Sequence, residues 1–186
     1  MPKRIDIDAV YFATLELFCE RGYGATTTKE IAARADVNEV TLFRRFGSKA
    51  ALIEAAIRHG LTNSPFGQLE AGDDVQADML EIVRSYLSAY QHFGELVLTL
   101  IAQLSHYPEL RGAAEALMPN MQNVSRIIAC HQEAGRIKPG NPFQMSLNLI
   151  APLAVTGFMN QSGLGPGHEG LDVEEHVRNF LNGHAL

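Results

Sequence analysis

The chain has 186 residues, 46% of them hydrophobic and 19% charged, with a formal net charge of −6. That balance belongs to a globular chain rather than a disordered one, and the length allows one large domain or two small ones. No apolar run approaches the roughly 18 residues needed to cross a bilayer, and MPKRIDID turns acidic before an apolar signal core could begin, so no membrane partner is expected and the cytoplasm is the expected compartment.

The charge is unevenly distributed. Residues 1–60 carry nine Lys and Arg against eight Asp and Glu, whereas residues 61–186 carry six against thirteen. Within the first part, Lys29, Arg34, Arg44, Arg45 and Lys49 cluster, so the acidic total does not exclude a polyanionic partner. Cys19 and Cys130 both fall in apolar helical patterns and offer no disulfide framework.

From the N-terminus, DAVYFATLELFCERG repeats apolar residues at helical spacing through Val10, Ala13, Thr14, Leu17 and Phe18. Gly22 reads as its stop, with Tyr23 packing back on the last turn. In TTTKEIAARADV, Thr27 and Glu30 have capping-box spacing and open a short helix ending near Ala35. Asp36 and Val37 form a tight turn, and Asn38 is an N-cap for a helix over 39–46. Gly47 stops that helix and Ser48 caps the next, over 49–61. These elements describe a helix-turn-helix unit, although a small helical bundle without a nucleic-acid partner would show the same caps and turns.

TNSPFGQLEAGDD is rich in turn formers and marks a boundary near 62–73, separating a domain over 1–61 from one over 62–186. VQADMLEIVRSYLSAYQHF then predicts a long amphipathic helix and ELVLTLIAQLSHY a second, nearly apolar and well-buried one. Pro108 restarts the chain, Pro119 is expected to kink or divide the following helix, and KPGNP is a turn. FQMSLNLIAPLAVTGFMNQ reads as an apolar helix interrupted by Pro152, GLGPGHEG as a flexible loop, and LDVEEHVRNFL as a closing helix capped by Asp172. With no β alternation and no internal repeat, the expected fold class is all-α.

The segment VTLFRRFGSKAAL carries the functional signal. On a helical wheel, Leu42 and Phe46 lie within about 40° of one another and define an inward stripe, while Val40, Thr41 and Arg44 face the opposite way, flanked by Phe43 and Arg45. Short residues and one Arg facing outward, with cations on the flank, suit a helix that enters a major groove. Adjacent charges on a solvated helix face are the plainer alternative.

The block LELFCERGYGATTTKEIAARADVNEVTLFRRFGSKAALI resembles the N-terminal domain of TetR-family transcriptional regulators. It shows an LF pair, a Gly-Tyr after the first helix, a Thr-rich start to the second and E-I-A, then T-L-aromatic-x-x-F and a G-S-K start to the fourth. The resemblance covers residues 7–55 and implies a fold and a set of roles. Thr27 and Thr28 would meet phosphate at the start of the second helix, and Lys29 would reach a base edge or phosphate. Arg45 and Lys49 would be phosphate clamps, and Arg44 would read guanine O6 and N7. Val40 and Thr41 could contact a thymine methyl, and Glu39 could accept from cytosine N4 or simply stabilise the start of its own helix. Three departures stand out: Phe43 replaces a usual Tyr and loses a phenolic phosphate contact, Arg45 replaces a common His, and Asp36 replaces the usual turn Gly.

For the remainder, the resemblance implies an effector-binding and dimerisation domain. A homodimer would form through helices over 143–161 and 173–181, where Leu147, Ile150, Ala151, Ala154, Val155 and Phe158 make a long apolar stripe; burial within one subunit is the alternative. Tyr86, Tyr90, Phe93, Met118, Met121 and Met145 are candidates for the wall of an effector pocket or for ordinary core. An apolar or neutral effector fits the few charges in 95–107. Binding it would tilt the fourth helix and change the separation of the two recognition helices, releasing a double-stranded, near-palindromic operator. No metal-ligand spacing, cofactor motif or catalytic constellation appears, so the expected function is a ligand-responsive regulator, most often a repressor in this family, and not an enzyme. A helical protein–protein interaction module that kept the fold but lost DNA binding is the alternative.

Overall fold

The computed structural model describes residues 5–165 and 171–184, without the side chains of residues 91–93, 95 and 161. Phe93 and His92 fall among those side chains, and His168 and most of the GLGPGHEG loop also lie outside the described residues. The described secondary structure is helical: α1 (Ile7–Ala25), α2 (Thr28–Arg34), α3 (Glu39–Phe46), α4 (Lys49–Thr62), α5 (Val75–Gln103), α6 (Arg111–Glu115), α7 (Met118–Glu133), α8 (Pro142–Gln161) and α9 (Val173–His184). Short 3-10 turns occupy Pro65–Gln68 and Pro108–Leu110. No described helix is long and apolar enough to cross a membrane.

The chain divides into two compact units, one of Met1–Leu61 with Glu95–Met118, the other of Thr62–Gly94 with Pro119–Leu186. The division assigns residues 75–94 of α5 to the second unit and residues 95–103 to the first.

In the first unit the expected local signals set the helix ends. Gly22 leaves the helical path (φ 74, ψ 177), and the hydroxyl of buried Thr26 donates to the carbonyls of Leu17 and Gly22 to close the turn. Thr27 caps α2 by accepting from the Glu30 amide at 3.2 Å. The Glu30 carboxylate takes the Thr27 hydroxyl at 2.8 Å, so the reciprocal half of the capping box forms to a side chain. Asp36 takes the left-handed conformation (φ 52) between α2 and α3, and the Val37 amide reaches back to the Ala32 carbonyl, as a Schellman turn requires. Asn38 caps α3, Gly47 (φ 75) ends it, and Ser48 caps α4. Val10, Leu17, Ile31, Ala32, Leu42 and Leu52 form the core that binds these helices, with Phe46 packed at its margin.

Two arginines clasp α1 to α2: Arg21 pairs with Glu30 at 2.7 Å, and Arg34 with Glu20 at 3.0 Å and Glu16 at 3.5 Å.

The second unit has its own core, including Phe66, Met79, Ile82, Val83, Ile127, Ile128, Leu149, Leu153, Val177 and Phe180. Fully buried His131 lies inside this unit. Its Nδ1 accepts from Arg136 Nε at 2.8 Å, which leaves Nε2 to donate to Asp78 Oδ2, also 2.8 Å away. The same carboxylate oxygen accepts the Gly72 amide at 2.7 Å. Neither Cys19 nor Cys130 forms a disulfide.

Three expectations need correction. The two helices expected over 75–107 are one helix, α5, because Gly94 costs a helix only about 1 kcal/mol and no left-handed residue or proline stops it. That glycine has a packing reason: a Cβ there would come within 2.6 Å of the Tyr90 ring. Nor is its distal part buried all round, since Leu96 and Leu100 are covered but Ile101 is exposed. Pro152 does not interrupt α8, which runs through it; the ring lies on the exposed side of the helix, away from the core. Pro119, by contrast, stands at the start of α7 and separates it from α6, as expected.

The α1–α2 clasp has a pH consequence. Hydrogen bonding to Arg34 holds the Glu20 carboxyl below its ordinary value of 4.5, and the Thr27 hydroxyl does the same for Glu30, aided by Arg21. Because the folded values are depressed, the stabilisation is complete above about pH 4.5 and is lost as pH falls through the lowered values. Thermal melts across this range are expected to show a flatter acid limb for Arg34→Ala than for the parent protein; superimposable acid limbs would contradict the assignment.

Candidate nucleic-acid interface

The first-unit core fixes the rotation of α3. Leu42 is 1% exposed, Phe46 is half-buried against Tyr11 (ring centroids 6.0 Å apart), and the opposite side is turned to solvent. Val40 is 73% exposed and Phe43 63%, values that stability of the unit does not call for. Glu39, Arg44 and Arg45 are exposed beside them, while Thr41 is half-buried at the edge. The arrangement is a short rod with a wedge of small and apolar side chains and cations along its outer side.

The five clustered cations divide into two groups. Arg34 is bound to Glu20 and Glu16. Lys49 was expected to clamp phosphate, but its ammonium donates to the carbonyls of Tyr23 and Thr26 and sits 3.9 Å from the Tyr23 ring centroid. Burial there lowers the lysine pKa below its ordinary value. In this structure Lys49 is a tether from the start of α4 to the end of α1, not a side chain extended toward an external anion. Lys29, Arg44 and Arg45 carry no ion pair among the described residues, and the Arg45 guanidinium rests 5.8 Å from the Phe46 ring centroid.

The α2 threonines are likewise engaged. Thr27 Oγ1 is occupied by Glu30, and Thr28 Oγ1 donates to Glu39 Oε1 at 2.7 Å. The second bond joins the first turns of α2 and α3 and orients the Glu39 carboxylate. A carboxylate so held favours the helix-stabilising alternative over a cytosine contact. The Thr27–Glu30 engagement was legible as capping-box spacing; the Thr28–Glu39 bond was not, because those residues become neighbours only once the turn at Asp36 forms.

The residues expected to line an effector pocket are distributed differently. Tyr86 and Met121 pack on the second-unit core, with the Tyr86 ring edge-on to Phe66 (5.7 Å) and 6.1 Å from Tyr90. Burial raises the Tyr86 phenol well above its ordinary pKa, so it stays protonated. Met145 is buried, its methyl beside Gly140 and its sulfur accepting from Gln132. Tyr90 lies over Gly94 and Gly157, where added Cβ atoms would approach the ring to 2.6 and 2.4 Å. Met118 is exposed and falls in the first unit.

Three helices with a tight left-handed turn between the second and third, and a cationic outward face on the third, define a helix-turn-helix unit. The profile of a family described as bacterial regulatory proteins, tetR family, matches residues 12–56. The HTH-type transcriptional regulator YvkB of Bacillus subtilis (strain 168) is 35% identical over 85 residues, 46% of this chain and 45% of that protein. An HTH-type transcriptional repressor of Mycobacterium tuberculosis (strain ATCC 25618 / H37Rv) is 45% identical over 51 residues, 27% of each chain. The matches thus span about half of the first relative and about a quarter of the second. Over the whole fold, a TetR-family transcriptional regulator from Pseudomonas syringae pv. tomato aligns with a TM-score of 0.70 at 24% identity, covering 96% of both chains. A Rhodococcus structure assigned to the same family aligns at 0.76 and 16% identity, covering 95% of both. Residues 12–56 thus match the TetR-family profile, and the chain as a whole has the fold of structures assigned to that family.

Replacing Lys49 is expected to act on stability. Lys49→Ala removes hydrogen bonds from a charged donor to two carbonyls, about 1.5–3 kcal/mol, and should lower the melting temperature by several degrees. The slope of log affinity for DNA against log salt should stay unchanged; a slope smaller by about one would restore the phosphate-clamp role.

Proposed function

We propose that the protein is a transcriptional repressor that binds a near-palindromic, double-stranded operator as a homodimer and is released by a small apolar or neutral effector. The observation that carries this reading is the outer face of α3, where exposed Val40 and Phe43 stand beside Arg44 and Arg45, which carry no ion pair among the described residues. Val40, Phe43 and Thr41 supply apolar contact for thymine methyls, and Arg44 supplies the two parallel donors that guanine O6 and N7 accept. Lys29 and Arg45 are the cations available to phosphate. Thr27 and Thr28 contribute through the amides of the first turn of α2, their hydroxyls being engaged. The mycobacterial relative named as a repressor supports repression as the direction of control. Action on DNA implies the cytoplasm.

Dimerisation is supported by α8. One side of it, with Met145, Leu149, Ile150 and Leu153, is buried in the second-unit core. The other side, with Ala151, Val155, Phe158 and Met159, is exposed, Val155 to 57% and Phe158 to 50%. A helix that is apolar on both sides has one face too many for a single subunit, and a second copy supplies the cover. Of the sequence stripe, Ile150 thus belongs to the subunit's own core and Val155 and Phe158 to the proposed interface. The interaction-module alternative leaves Lys29, Arg44 and Arg45 unexplained.

Selection of bound duplexes from a random pool is expected to return a near-palindrome; recovery of no sequence would exclude the regulator. On that operator, Arg44→Ala should relax discrimination at one position by about 1–3 kcal/mol, roughly 5- to 150-fold. A uniform loss across all sequences would instead mark Arg44 as a phosphate contact. In sedimentation, the double substitution Val155→Glu with Phe158→Glu should convert the dimer to monomer, and an unchanged dimer would move the interface elsewhere.

A further inference from the structure

Tyr23 follows the Gly22 kink and precedes α2 by only a few residues, so its backbone sets where the second and third helices begin. Three side chains hold it. The Tyr23 amide follows the Gly22 kink, and Gln103 Oε1 accepts it at 2.6 Å from a position 80 residues away in sequence. Lys49 takes the Tyr23 carbonyl and underlies its ring. Tyr107 packs on the ring at 4.9 Å between centroids. Both flanking glycines leave room for this approach: a Cβ on Gly22 would fall 2.3 Å from Gln103 Nε2, and one on Gly24 would fall 2.4 Å from the Tyr107 hydroxyl. Gly22-Tyr23-Gly24 is thus a seat whose occupants come from the start of α4, the last turn of α5 and the turn beyond it, all within the first unit.

We propose that Gln103 is a positioning residue for DNA recognition, holding the Tyr23 amide so that α2 and α3 leave the kink in the direction a groove requires. The proposal rests on the regulator reading above. Gln103 acts on DNA binding only indirectly, through one side-chain acceptor on the backbone amide that follows the non-helical, left-handed Gly22. Losing that acceptor frees the amide and widens the range of directions in which α2 can start, while the groove-facing side chains stay intact.

The test compares Gln103→Met, which keeps length but has no oxygen acceptor, with Gln103→Glu, which keeps the acceptor. Gln103 is only half-buried, and thermal melts verify that both variants fold. Hydrogen exchange at the Tyr23 amide should be at least about tenfold faster in Gln103→Met than in the parent protein and near the parent rate in Gln103→Glu. Affinity for the selected operator should fall about tenfold in Gln103→Met with the salt slope unchanged, and recover in Gln103→Glu. Parent-like affinity of Gln103→Met despite faster exchange would overturn the proposal alone, as would equal losses in both variants. Failure of the parent protein to select any DNA would overturn the regulator reading and the proposal with it.

Discussion

The burial of one side chain, Leu42, decides which way α3 faces. An eight-residue helix has too few hydrogen bonds to persist alone and survives only through its neighbours. Leu42 seats α3 in the core formed by Val10, Leu17, Ile31, Ala32 and Leu52, and Phe46 extends the contact one turn further. Once that stripe is inward, helical geometry leaves Val40, Phe43 and Arg44 no option but to face out. The caps at Asn38 and Gly47 limit the rod to two turns, short enough to present one surface. Specificity for DNA would follow from a hydrophobic contact on the far side of the helix.

Charge in the first unit works by pairing as much as by number. Arg21 and Arg34 join α1 to α2 through carboxylates, and Lys49 joins α4 to α1 through carbonyls. Among the described residues of the cluster, Lys29, Arg44 and Arg45 remain outward, in a chain that is acidic overall. Such an arrangement suits a protein that must find one site among many: the net negative charge disfavours indiscriminate adhesion to DNA, while the local cations still reward a close fit.

Much of this was legible because it is local. Thr27, Asp36, Asn38, Gly47 and Ser48 act on backbone groups within a few residues, and each does in the structure what its chemistry suggests. The inward stripe of α3 followed from periodicity, and the two-sided apolar character of α8 was visible as an overlong stripe. Long-range matters were not legible. The partners of Lys49 are main-chain carbonyls, which every residue has, so no pattern announces them. The bond between Gln103 and Tyr23 joins positions 80 apart. Gly94 and Pro152 suggested breaks that α5 and α8 do not have, because the ring of Tyr90 and an exposed helix face give them places to sit.

Entry of the outer face of α3 into a major groove is most directly tested by photocrosslinking to operator duplexes in which single thymines are replaced by 5-bromodeoxyuridine, whose bromine occupies the methyl position in that groove. Adducts are expected on the peptide spanning residues 39–47, centred on Val40, Thr41 and Phe43, and at one or two positions in each half-site. Binding without such adducts, or adducts confined to other helices, would contradict the account.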